Sequence, residues 1–150
     1  MAYLAAPGQI WQDDCYYLDQ QTGECKRKYM IVLAVDESTG DAVTVVFTSQ
    51  PNGLPETPAC HIGNPRSGYY LGVLGGTFFK ETWLDFKGLE TLDSDDLALH
   101  AKTGRKTLFK QSLPQTTFCA TLRCIMQMQN DITKQQWRLL GNTIAKLGCP

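Results

Sequence analysis

Three groups of residues have the types and spacing to handle a phosphate. Lys26-Arg27-Lys28 runs directly into the apolar stretch Tyr29–Val35. A guanidinium grips a phosphate through two parallel hydrogen bonds, and an ammonium holds it as a point charge. Thr48-Ser49 closes the apolar stretch Val43–Phe47, and hydroxyls at a strand end can donate to phosphate oxygens. Arg123 stands on the polar side of the alternating segment 117–129, with Thr121 beside it. The plainer alternatives are a solvated strand end for the cations, a turn for the hydroxyls and a water-facing position for Arg123.

The elements that would position these groups follow from periodicity. Residues 9–17 are extended and aromatic-rich, and Asp19–Gly23 carries turn chemistry. The unbroken apolar run 29–35 predicts a strand covered on both faces, and 36–41 a hairpin loop leading to a partner strand over 42–49. Antiparallel pairing then brings residues 28 and 48 to the same end of the sheet, so cations and hydroxyls converge. Segment 50–68, rich in proline and glycine, reads as a long loop, followed by strands at 69–74 and 77–86. Asp93 or Ser94 caps a short helix that ends near Gly104. Residues 117–129 alternate as a long strand, with Phe118, Ala120, Leu122, Cys124, Met126 and Met128 on one face. Thr133 and Gln136 form a capping box for a helix ending at Gly148. Many short strands with few helices predict a small closed or nearly closed β-barrel, mainly β with an inserted helix and a C-terminal helix.

Length and composition set bounds. The 150 residues suit one domain and can bury a core without help from a metal or disulfide. A net charge of −1 excludes a generally basic protein, so nucleic-acid contact needs a local patch. The apolar runs are too short to span a bilayer, and Met1–Leu4 does not resemble a leader, so no membrane partner is expected. The six cysteines, at 15, 25, 60, 119, 124 and 149, contain no Cys-x-x-Cys pair. They read as mostly free thiols in a reducing cytoplasm. Cys60-His61 with Cys119 and Cys124 would make a zinc set only if folding joined them, at looser spacing than zinc motifs use.

Further side chains enter by type alone. His61 and His100 titrate in the range of a general acid or base. Asp13, Asp14 and Glu24 lie near the basic strand start and fit exposed positions. Trp11, Tyr16, Tyr17, Tyr69 and Tyr70 could stack on unpaired bases or fill the core.

The quoted motifs resemble the MazF/PemK family of toxin endoribonucleases. The resemblance rests on Gly8-Gln9-Ile10-Trp11, KRKYMIVLAV and VTVVFTSQ, covering roughly residues 7–50, with a weaker echo around Arg123 and the last helix. It implies an SH3-like barrel, a homodimer with single-stranded RNA across it, and an antitoxin protein blocking that surface. The implied reaction is metal-free and uses no cofactor: the ribose 2′-hydroxyl attacks the adjacent phosphate and leaves a cyclic phosphate. The resemblance puts Arg27 or Lys28 on the developing charge, Thr48 and Ser49 on phosphate oxygens, and Arg123 in support. The family's Arg-Pro pair is Lys28-Tyr29 here, and its later Asp falls near Ile125 or Met126. These departures suit a second reading, a barrel without catalysis that binds protein or nucleic acid. A third reading is a nucleic-acid binder using Lys102, Arg105, Lys106 and Lys110.

Overall fold

Apolar alternation and well-capped helices give an open sheet with helices on both faces. The computed structural model describes residues 4–150; the reading of residues 1–3 as part of a leaderless start lies outside them. The strands are β1 (Ile10–Leu18), β2 (Cys25–Val35), β3 (Ala42–Thr48), β4 (Cys60–His61), β5 (Gly68–Gly72), β6 (Thr82–Leu92) and β7 (Lys106–Phe109). The helices are α1 (Ser94–Thr103), α2 (Gln115–Ile125) and α3 (Lys134–Leu147).

All strand pairings are antiparallel, in the order β4-β5-β6-β3-β2-β1-β7. The end strands do not pair with each other, so the expected closed barrel is not formed. Closure needs two edges able to exchange a ladder, and these edges are only 2 and 4 residues long.

The central strands are buried on both sides, as their apolar runs require. On one face Ile10, Ile31, Leu33, Val43, Val45, Phe47, Leu84 and Phe86 pack with α2 and α3. On the other, Trp11, Met30, Val32, Ala42 and Val46 pack with Leu97 of α1. Each fully buried aliphatic side chain contributes about 1.5–3 kcal/mol, so this double covering is the main support of the sheet.

The helix ends follow their sequence signals. Asp93 caps α1 by accepting from the Asp95 and Asp96 amides, and α3 has the Thr133–Gln136 capping box and a left-handed Gly148 (φ 65°). No helix among the described residues is long and apolar enough to cross a membrane.

Two further expectations are overturned. The strand expected over 117–129 is instead α2, preceded by Pro114. Its buried residues Phe118, Cys119, Thr121, Leu122, Cys124 and Ile125 follow the helical period, and the alternating pattern had passed over the apolar Cys119 and Ile125. The cysteines are not free thiols: Cys15–Cys25, Cys60–Cys124 and Cys119–Cys149 are disulfides. Folding does join Cys60 to Cys124, but as a bond between sulfurs rather than a zinc set. The cytoplasmic expectation rested on free thiols and loses that premise, because disulfides persist mainly in oxidising compartments.

Candidate functional site

The hairpin register sets the first part of the site. Met30 of β2 pairs with Val46 of β3, so Lys28 and Thr48, each two residues beyond that pair, lie at the same end of the hairpin. Beside this strand end lies a hollow of about 270 Å³. Arg27, Lys28, Thr48 and Ser49 line it, so four of the five residues expected to act together share one surface.

The fifth, Arg123, does not line the hollow. It sits on α2, where its Nε donates to the Pro150 carbonyl at 3.0 Å and its Nη2 to the Cys149 carbonyl at 3.2 Å. These bonds tie residues 149 and 150 to α2. The strand that would have carried it beside the hairpin does not exist, which removes it from the expected site.

A segment far along the chain completes the hollow. Thr77, Phe78, Phe79, Lys80 and Thr82 form its remaining wall, together with Tyr29 and Phe47. Phe78 is buried and stacks on Phe47, with ring centroids 4.7 Å apart, and meets Tyr29 edge-on at 5.2 Å. Residues 77–81 were expected to be strand, but β6 begins only at Thr82. The signal for this wall was present as two aromatics and a lysine directly after Gly75-Gly76.

The electrostatics of the lining are one-sided. It contains Arg27, Lys28 and Lys80 and neither a carboxylate nor an imidazole. Arg27 is the only one of the three with an ion pair among the described residues, to Asp14 Oδ1 at 3.1 Å, and that pair is about half exposed. Exposed pairs of this kind contribute under about 1 kcal/mol, so Asp14 offers little hindrance to an incoming anion. Lys80 sits with its Nζ 5.8 Å from the centre of the Phe79 ring.

The hydroxyls divide. Thr48 is buried and engaged in a turn: its Oγ1 accepts from the Gln50 amide at 3.0 Å and donates to the Gln50 carbonyl at 3.2 Å. The Thr82 hydroxyl likewise donates to the Lys80 carbonyl at 2.9 Å. Ser49 is exposed, and its hydroxyl has no partner among the described residues. An anion in the hollow would meet Ser49 before Thr48.

The remaining candidates lie elsewhere. His61 Nε2 is 2.9 Å from the Asn64 carbonyl, and His100 lies on α1. Trp11 is core, and Tyr70 donates to Glu81 at 2.5 Å. Asp13 is buried rather than exposed: Arg105 Nε lies 3.2 Å from its Oδ1 and Lys106 Nζ 3.8 Å from its Oδ2. Burial pushes the Lys106 ammonium below its ordinary value, against the pull of Asp13. Burial raises Glu90 and Tyr16 nearby, and burial followed by the Lys106 and Arg105 charges lowers His100. With Lys106 buried and Arg105 spanning Asp13 and the Cys15 carbonyl, two of the four cations in the 102–110 stretch are already engaged.

No group of side chains able to hold a metal ion occurs among the described residues. Comparison with family models, characterised proteins and solved structures finds no match to this chain.

Proposed function

We propose that this protein binds single-stranded RNA, seating a backbone phosphate between Arg27, Lys28 and Lys80. The observation that carries this reading is a lining with three cations and no carboxylate, set over an aromatic floor. Cations left without buried partners favour an anion, and aromatic surface beside them favours an unpaired base over a bare ion.

Binding without turnover fits the lining better than cleavage does. Attack by a 2′-hydroxyl needs a group to take its proton and another to protonate the leaving oxygen. No histidine or carboxylate lines the hollow to take the first proton, whereas the Lys28 and Lys80 ammoniums can only give one. The MazF/PemK-like nuclease, with its SH3-like fold, homodimer and antitoxin, is the second reading, favoured by the convergence of Arg27, Lys28, Thr48 and Ser49.

One experiment separates them. A labelled single-stranded oligoribonucleotide is titrated with the protein in EDTA over a range of salt, then run on a denaturing gel. The expected result is salt-sensitive binding with intact RNA and a log–log slope of about −0.7, as neutralisation of one phosphate of a single strand would give. Products ending in a cyclic phosphate would establish the nuclease reading instead. Absence of binding at low salt would reject both.

A further inference from the structure

We infer that Phe79 is a stacking platform for one unpaired nucleobase, and that this ring selects single strands at the hollow. The inference rests on the phosphate-binding reading above and adds what the cations alone cannot supply. Three cations attract any polyanion, whether duplex, single strand or polyphosphate.

Adjacent aromatics have opposite fates here. Phe78 is 6 % exposed and locked among Phe47, Tyr29 and Phe109, whereas Phe79 is 69 % exposed. The buried ring anchors the segment, and the exposed one projects from a fixed base. The preceding turn is tied down as well. Gly75 and Phe78 exchange two backbone hydrogen bonds of 3.0 and 3.1 Å, and Gln111 donates to the Gly75 carbonyl at 3.2 Å. Gly75 holds φ 87°, a conformation that other residues adopt only with strain. The backbone that carries the platform is fixed in this way and does not have to be ordered when ligand arrives.

The position of the ring supplies the specificity argument. Phe79 lines the same hollow as Arg27 and Lys28, and Lys80 stands over it. A ligand that places a phosphate among the cations and a flat apolar ring on Phe79 is a nucleotide with its base unstacked. In a duplex the base is already paired and stacked, and its face is unavailable. Stacking of this kind tolerates every base, so the platform distinguishes strandedness rather than sequence.

The test compares three ligands on three proteins. Wild type, Phe79→Ala and Phe79→Trp are titrated with single-stranded oligouridylate, its duplex with oligoadenylate, and inorganic polyphosphate of similar charge. Phe79→Ala is expected to lose ~10-fold in affinity for the single strand and nothing for polyphosphate. Phe79→Trp should keep the single-strand affinity, and wild type should prefer the single strand to the duplex. Unchanged single-strand binding by Phe79→Ala, or an equal loss for polyphosphate, would overturn the platform. Binding of polyphosphate but not oligouridylate by wild type would overturn the platform and the RNA reading, leaving a phosphate site. Binding of neither removes the phosphate site itself.

Discussion

Cations meet opposite circumstances in two regions of this sheet. Beside β7, Lys106 and Arg105 converge on Asp13, a carboxylate 2 % exposed, with Glu90 and Tyr16 close by. At the end of β2, Arg27, Lys28 and Lys80 ring a hollow with no carboxylate in its lining. In the first region the fold supplies the counter-charge, and the cations hold β1 to β7. In the second only Arg27 has a counter-charge among the described residues, the half-exposed Asp14, and Lys28 and Lys80 are left for a ligand. Cation type and local sequence do not separate the two regions. What separates them is whether an acid on a neighbouring strand is buried against the cation.

The largest expected effect breaks the paired region. Asp13→Ala strands Lys106 and Arg105 without their buried partner and should cost about 3–5 kcal/mol, measured by urea unfolding. A cost below about 1 kcal/mol would mean that water serves these cations as well as Asp13 does. Next comes the hollow. Arg27→Ala with Lys28→Ala should weaken single-strand binding by at least ~10-fold, with stability changed by no more than about 0.5 kcal/mol. A large loss of stability with unaltered binding would reverse the contrast.

Thr48 tests the boundary between structure and site. Thr48→Val removes its two bonds to Gln50 and should cost about 1 kcal/mol while leaving RNA affinity in place. A selective loss of affinity would return Thr48 to the ligand.

The smallest effect is one of pH. His100 is held below its ordinary value of 6.5 by burial and by Lys106 and Arg105, which outweigh Asp13 and Asp96. The unfolded chain therefore takes up this proton first as pH falls. The contribution of His100 is complete above about pH 6.5 and declines as pH drops toward its lowered folded value. In stability curves between pH 7.5 and 5, His100→Gln should flatten this decline; an unaltered slope would show that His100 is not its source.

The elements legible in the sequence are those fixed by neighbours along the chain. The β2–β3 hairpin follows from two apolar runs and a short turn, and α1 and α3 from their caps. Segment 117–129 was ambiguous because its even-numbered apolar residues fit period 2, while burial of Cys119, Thr121 and Ile125 fits only a helix. That ambiguity carried Arg123 to the wrong place. The disulfides were not legible from spacing: Cys60–Cys124 and Cys119–Cys149 stand 64 and 30 residues apart and meet only through packing, while Cys15–Cys25, 10 apart, meets across the β1–β2 hairpin where its register shifts.

The sequence by itself determined that Lys28 and Thr48 share one end of the sheet, because an antiparallel hairpin with a short loop sets the start of one strand beside the end of the next, and the bulge between Val32 and Ala34 moves the pairing by only one residue. Only the tertiary structure decided what stands opposite them. Phe78 enters the aromatic cluster and carries Phe79 and Lys80 to the hollow, while Asp13 is buried against Lys106 and Arg105. These are contacts between distant segments. They form where apolar burial outweighs the entropy of closing the chain, a balance that no local pattern records.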